Sequence, residues 1–393
     1  MLSHELIVDV AALEALRSEW DALADACGLP GMSAPWVLSW FRHVAPPGVA
    51  PRIVVVHDGD ALIGIAPFYT TLGGRGRRDF RLVSVEFSNR LAPLALPGRE
   101  REVAEVIARV LASATPHPDM IALESGPPDA PWLSALRERW PGRIRPLTFT
   151  YNTKRCPNVS LAAGSFDEWF AGKSSNFRGQ MRRARRQFEA AGGKIRMTVP
   201  STLQDDVEIF VRLHTLRWEG RGRSNLVGLG NALPAFLNEA GTVLLRDDGR
   251  LRLQILEIEN RPISAQLFLA AGGEVLYFNG GWDERFASLK PVMLAILLAI
   301  EESFSRGDKS MDLGSGALQY KLRFADRDDP VCWRVLMVPS SRLPLTFASM
   351  VPAFTSRWTR TTAKRVLGPT QVDRLRELRK RLGFGTPSVD APA

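Results

Sequence analysis

Leu13, Leu16, Trp20 and Leu23 recur at spacings of three and four, the period of one helix face. Gly28-Leu-Pro-Gly31 ends that run. A second short helix is expected over Trp36–His43, with Ser33 as its N-cap. Ile53-Val-Val-Val56 and Leu62–Tyr69 flank the turn Asp58-Gly59-Asp60, a pattern that predicts a β-hairpin. Further strands are expected near Phe80–Phe87 and at Met120–Leu123, with a helix at Arg101–Ser113 between them.

The second half shows the same order of elements more clearly. Ser165 and Glu168 form a candidate capping box. Phe177, Met181, Ala184 and Phe188 share one face of a basic helix that Gly192-Gly193 ends. Another helix is expected from Ser201 to Trp218. Strands are expected at Val243–Arg246, Leu251–Ile258, Ile263–Ala270 and Val275–Gly280, with turns at Asp247-Asp-Gly249 and Asn260-Arg-Pro262. A helix over Pro291–Ser305 starts with proline at its first turn, and a short strand, Ser310–Leu313, precedes Gly314-Ser-Gly316. Asp60, Ile63, Ala66 and Phe68 lie 200 residues before Asn260, Ile263, Gln266 and Phe268. The recurrence predicts two α/β domains of one topology, with a boundary near 150–165.

Composition narrows the class. A chain of 393 residues suits two domains, and 45% hydrophobic with 24% charged residues excludes a disordered or collagen-like chain. The uncharged stretch Pro291–Ile300 is too short for a transmembrane helix, which needs about 20 apolar residues. Glu5, Asp9, Glu14, Arg17 and Glu19 break up any signal-peptide apolar region. Cys27, Cys156 and Cys332 are dispersed, which argues against a disulfide framework or zinc ribbon and for a reducing cytosol. The net charge of +9 is concentrated in two segments, Lys173–Arg196 and Ser340–Ala393, which suit anionic partners.

Several motifs carry a family resemblance. They are Phe177-Arg178, Leu216-Arg-Trp218, Tyr277-Phe-Asn-Gly-Gly281, Ser288-Leu-Lys-Pro291, Met311-Asp-Leu-Gly314 and Tyr320-Lys-Leu-Arg-Phe324. The stretch from about Ser165 to Ala325 resembles the GNAT acyltransferase superfamily, in its CelD/BioF2-like branch related to FemAB-type transferases. The N-terminal half resembles it by order of elements alone. The resemblance implies mixed α/β sheets in two tandem GNAT-like domains, 1–155 and 156–339, followed by a basic amphipathic tail, 340–393. It implies acetyl-CoA as acyl donor to the second domain, with the first domain lacking CoA and no metal taking part.

The expected site residues follow from that resemblance and from chemistry. A helix N-terminus binds a pyrophosphate through unpaired N–H groups. Here the loop into Pro291 reads Arg285-Phe-Ala-Ser288-Leu289-Lys290, so the arginine of the family's loop is present and its two glycines are replaced. Gly280 and Gly281 close the preceding strand, where the family exposes a backbone N–H to a thioester carbonyl. With Arg285, Ser288, Leu289 and Lys290 they form the expected donor site. Amide formation needs an acid for the departing thiolate and a group that orients or deprotonates the amine. Tyr320 is the expected acid and Asp312 the expected base or orienting group. Lys321, Trp218 and Tyr277 are expected on the acceptor. Each of these has an ordinary structural reading: Asp312 as a turn cap on Gly314, Tyr320 as a core aromatic, and the glycine pair as a simple turn.

The remaining signals are weaker. Arg182-Arg-Ala-Arg-Arg186 reads as a solvated helix face or as a site for an anionic substrate, nucleotide or RNA. Gly73-Gly-Arg-Gly-Arg-Arg78 reads as a mobile loop, because it lacks the context of a phosphate loop. The five histidines show no metal-ligand spacing, and His214 reads as structural. No Gly-x-Ser-x-Gly elbow is present, which excludes the usual serine hydrolase. In the tail, Val372, Leu375, Leu378 and Leu382 form a stripe among arginines and lysines. That pattern predicts reversible association of Thr355–Phe384 with anionic lipid at the inner membrane, or a helix docked on the protein body. The reading as a whole is a cytoplasmic N-acetyltransferase acting on an amino sugar or polysaccharide precursor for the envelope or exopolysaccharide. The alternatives are a FemAB-like transferase using aminoacyl-tRNA and a non-catalytic ligand-binding protein on a GNAT scaffold.

Overall fold

A computed structural model describes residues 2–83, 87–218, 224–246 and 249–353. Their strands fall into two mixed sheets. The first holds β1 (Leu2–Ile7), β2 (Ala50–Asp58), β3 (Ala61–Gly73), β4 (Arg77–Leu82), β5 (Leu94–Ala95), β6 (Met120–Gly126) and β7 (Leu147–Lys154). The second holds β8 (Pro157–Ser160), β9 (Gly193–Met197), β10 (Leu251–Ile258), β11 (Arg261–Ala271), β12 (Glu274–Trp282), β13 (Ser310–Asp312) and β14 (Arg327–Asp328). The last strand, β15 (Val331–Met337), joins the first sheet.

The two sheets have one topology. The first runs β1-β2-β3-β4-β6-β15-β7 and the second β9-β10-β11-β12-β13-β8-β14. Each has a single parallel pair at the same place, β4 with β6 and β12 with β13. The hairpins β2–β3 and β10–β11 occupy matching positions, so the 200-residue offset seen in the sequence is an equivalence of strands. The closing strands are exchanged. By chain order β8 would complete the first sheet after β7, yet it pairs with β13. β15 would complete the second after β14, yet it pairs with β6 and β7. Residues 331–337, placed in the second domain by the sequence reading, therefore lie in the first sheet.

The halves share one apolar core. Trp36 packs edge-on against Phe236 and Phe278, with ring centroids 4.5 and 5.1 Å apart. Arg250 reaches from the second half to Asp21 and Asp25 in the first. The β11–β12 turn fits against the same helix end. A Cβ on Gly272 would lie 2.0 Å from the Asp25 carbonyl, and its φ of 59° also requires glycine.

Local sequence explains most helices. In the helix Ser175–Ala190, the residues predicted to share a face, Phe177, Met181, Ala184 and Phe188, are the buried ones. Ser165 Oγ accepts the N–H of Glu168, as a cap should. Two expectations change. Val243–Arg246, expected as a strand, falls at the end of the helix Ala232–Leu244. Leu233, Phe236, Leu237, Ala240 and Leu244 recur at helical spacing and bury together, which overrides the β-branched end. The sheet's outer strand is instead β9. Arg77 and Arg78, assigned to a mobile loop, open β4 and are anchored on Asp79 and Asp119. The expected tail helix lies outside the described residues, apart from a helical run at 343–353 that packs on the first sheet through Phe347 and Phe149. Among the described residues, no helix is long and apolar enough to cross a membrane and no cluster could hold a metal ion.

Candidate functional site

One cavity of about 1390 Å³ connects the open ends of the two sheets. In the second sheet, β12 and β13 pair from Glu274–Ser310 to Leu276–Asp312 and then part. An extra residue in β12, Phe278, breaks the register with β11 at that point. β12 runs on to Trp282 without β13 beside it, and its residues Tyr277, Asn279 and Gly280 line the cavity.

The glycine pair is set by close approach. A Cβ on Gly280 would lie 1.8 Å from Gln266 Oε1. On Gly281 it would lie 2.2 Å from the backbone nitrogen of His214, in the helix Leu203–Trp218. Gly280 faces the cavity, whereas Gly281 is a helix-packing glycine. His214 is structural, as expected: Nδ1–H donates to the Gly280 carbonyl at 3.2 Å, and Nε2 accepts from Ser224 Oγ at 2.8 Å. Burial lowers its pKa, against the pull of that carbonyl.

The helix Pro291–Arg306 points its start at the same space. Pro291, Val292 and Met293 line the cavity, and the first N–H groups of a helix have no intrahelical acceptor. Lys290 stands at this mouth with φ 51°, its Nζ donating to Gln180 Oε1 at 3.0 Å. Arg323 Nη1 donates to the same oxygen at 2.8 Å. Of the loop, Ala287 also lines the cavity, whereas Arg285, Ser288 and Leu289 do not. Residues Glu284–Leu289 form a short 3-10 helix capped by Asp283. Arg285 is outside the cavity wall and its guanidinium is taken by Asp283. Leu289 packs beside Phe188 and Leu294, and Ser288 does not line the cavity.

Tyr320, Lys321, Tyr277 and Trp218 all line the cavity. Tyr320 has its phenol pushed up to about 12 by burial, so it holds its proton at neutral pH. Tyr277 donates its hydroxyl to Gln266 Oε1 at 2.7 Å, and burial raises its pKa further. That hydroxyl is committed to the strand, not to a ligand. Trp218 has an indole N–H with no partner among the described residues. Asp312 is buried off the cavity wall. One of its oxygens accepts from Arg90 at 2.5 Å and the other from the Gly314 N–H at 2.6 Å. The cap on Gly314 is therefore present, and the carboxylate is fully engaged.

The opposite wall was not singled out by the sequence reading. Arg77, Asp79 and Arg81 alternate along β4 and so share one face, which looks into the cavity with Glu124 of β6 and Tyr151 of β7. Arg77 donates to both oxygens of Asp79 at 2.5 and 2.6 Å, and to Ser349 Oγ at 2.5 Å. Arg81 pairs with Glu124 at 2.7 Å, and the Tyr151 hydroxyl donates to the same carboxylate. Burial raises the Asp79 pKa, opposed by Arg77 and Arg81. The charged alternation in Arg77-Arg-Asp-Phe-Arg81 is the signal that marks this wall in sequence.

Residues 175–322 match the model of the acetyltransferase (GNAT) domain. The matched segment contains β9 to β13, the parting strands, the helix Pro291–Arg306 and the Tyr320-Lys321 pair. This segment is a GNAT domain. Solved structures extend the likeness to both halves. FemX has a TM-score of 0.57 at 10% identity, over 88% of this chain and 99% of its own. The C-terminal domain of a protein described as a lysylphosphatidylglycerol synthetase from Agrobacterium fabrum gives 0.56 at 11% identity, over 86% and 96%. A conserved protein from Bacteroides thetaiotaomicron gives 0.51 at 9% identity, over 86% and 100%. At these identities the likeness is one of fold. No curated protein shows significant sequence similarity to the chain.

Proposed function

We propose that this GNAT protein is an acyl-CoA-dependent N-acyltransferase whose acceptor is the amine of an amino sugar or polysaccharide precursor. The observation that carries the reading is one cavity shared by both halves. It joins a helix N-terminus, Lys290, Tyr320 and Lys321 on one side to a wall of charged and hydroxyl groups on the other. Acyl-CoA, when bound, supplies a thioester that an amine can attack. The N–H groups at Val292 and Met293 and the Lys290 ammonium fit its phosphates, although the loop lacks the family's glycines. The Lys321 ammonium, buried beside the Gly314 carbonyl, suits an anionic or developing oxyanionic group. Tyr320 holds the proton that a departing thiolate requires. The arginine-fixed carboxylates Asp79 and Glu124 offer acceptors to the hydroxyls of a sugar.

A second reading is favoured by one observation. Arg182, Arg183 and Arg186 stand exposed on the helix Ser175–Ala190. That face suits the acceptor arm of an aminoacyl-tRNA, and a domain described as belonging to a lysylphosphatidylglycerol synthetase shares the fold. Release of free thiol from acetyl-CoA, measured against a panel of amino sugars, tests the first reading. Thiol release that depends on the amino sugar supports it. No release with any amine, together with tRNA binding, moves the assignment to the second.

A further inference from the structure

Arg90 belongs to the first half, yet its guanidinium reaches into the second. Nε donates to Asp312 Oδ2 at 2.5 Å, and Nη2 donates to the Asp329 carbonyl at 3.0 Å. The backbone of Arg90 has φ 58°, a left-handed conformation that costs a non-glycine residue energy. Ser125, buried at the end of β6, has the same φ, and its carbonyl accepts the N–H of Leu91, the residue after Arg90. Two such residues, in segments joined by that hydrogen bond, show a loop held by its surroundings rather than by local preference.

Lys321 lies close enough to Asp312 to feel its charge. Its Nζ donates to the carbonyls of Gly314 at 3.3 Å and Ser315 at 3.5 Å. It forms no ion pair with any described carboxylate, although it is 6% exposed. A buried ammonium ordinarily needs a carboxylate partner. Four titratable groups face it: Asp312 from β13, Cys156 just before β8, Tyr277 from β12 and Tyr320 on its own helix. Burial pushes the thiol and both phenols up, so Asp312 is the one anion among them. Burial pushes the Lys321 pKa down, and Asp312 pulls the other way.

We propose that Arg90 is a positioning residue: by holding the Asp312 carboxylate, it keeps the Lys321 ammonium unpaired and available to an anionic group in the cavity. The proposal rests on the reading of this cavity as an acyl-CoA site, with Lys321 facing the anionic or oxyanionic group. It also gives the first half a part in the second half's chemistry. Without the guanidinium, Asp312 is free to turn to Lys321. The resulting pair would raise the lysine's hold on its proton and take up the charge the ligand needs.

The test compares the full chain with Arg90→Gln, Asp312→Asn and the double variant. Glutamine retains a donor for the Asp329 carbonyl while removing the charge. The titration of Lys321 is read by competitive acetylation with trace acetic anhydride between about pH 7 and pH 11, with mass spectrometry of its peptide. Affinity for free CoA is read by calorimetry. Arg90→Gln should move the Lys321 midpoint upward and weaken CoA binding roughly tenfold. Adding Asp312→Asn should return both to the values of Asp312→Asn alone. Arg90→Lys, which keeps a cation on Asp312, should leave the midpoint where it is. An unmoved midpoint in Arg90→Gln, or a double variant no better than Arg90→Gln, overturns the proposal. If no form binds CoA, the donor reading fails, and the Lys321 midpoint still decides the role of Arg90.

Discussion

The imidazole of His214 ties the helix Leu203–Trp218 to the carbonyl of Gly280, on the strand that bounds the cavity. Nδ1 donates to that carbonyl, and Nε2 lies 2.8 Å from the Ser224 hydroxyl, from which the neutral ring accepts. Its pKa is lowered by burial. The unfolded chain therefore takes up a proton before the folded one does. Stability should be complete above about pH 6.5 and should fall as the pH drops below it, toward the folded pKa. Urea unfolding at several pH values, for wild type and His214→Asn, checks this. The wild-type advantage should shrink toward acid. A constant difference would mean that His214 is not the group responsible.

Gly281 should tolerate substitution less well than Gly280. A Cβ on Gly281 meets the backbone of His214 and Leu213, which cannot swing away, whereas one on Gly280 meets the Gln266 side chain. Gly281→Ala should cost about 2–3 kcal/mol, and Gly280→Ala less. Denaturant midpoints give the ranking, and the reverse order would contradict the packing described.

At the helix mouth, Lys290 should matter and Arg285 should not. Arg285 is exposed and paired with Asp283, while Lys290 lines the cavity. Lys290→Asn keeps a residue that accepts the left-handed backbone and removes the charge. It should weaken CoA binding roughly tenfold or more, with Arg285→Ala unchanged. Equal losses in both would return Arg285 to the site.

The two tyrosines should separate cleanly. Tyr277→Phe strands Gln266 Oε1 in the core and should cost about 1–3 kcal/mol of stability. Tyr320→Phe should leave the melting temperature nearly unchanged and lower turnover roughly 10²–10⁴-fold. Normal turnover in Tyr320→Phe would reduce that residue to packing.

Much of this fold is legible in the sequence because its signals are local. The stripe Phe177, Met181, Ala184 and Phe188 specifies a helix face, and the turns read at Asp58–Asp60 and Asn260–Pro262 mark equivalent hairpins, the second closing one residue earlier, at Glu259–Asn260. The exchange of β8 and β15 is not legible. Each strand's partners lie far along the chain, and short apolar strands carry no address. In the site, the Tyr320-Lys321 pair announces itself by motif. Arg90 does not, since it sits in a loop 222 residues from the carboxylate it holds. The wall at Arg77, Asp79 and Arg81 is written in alternating charges, but the glycines before it obscure the start of β4.

The central claim is that an acyl donor binds where the helix Pro291–Arg306 meets the parted strands of the second sheet. Calorimetric titration of the full chain with acetyl-CoA and with free CoA tests it most directly. Saturable, micromolar binding of both, weakened in Lys290→Asn, is the predicted result. No heat of binding with either ligand, from a folded protein that binds aminoacyl-tRNA, would contradict it.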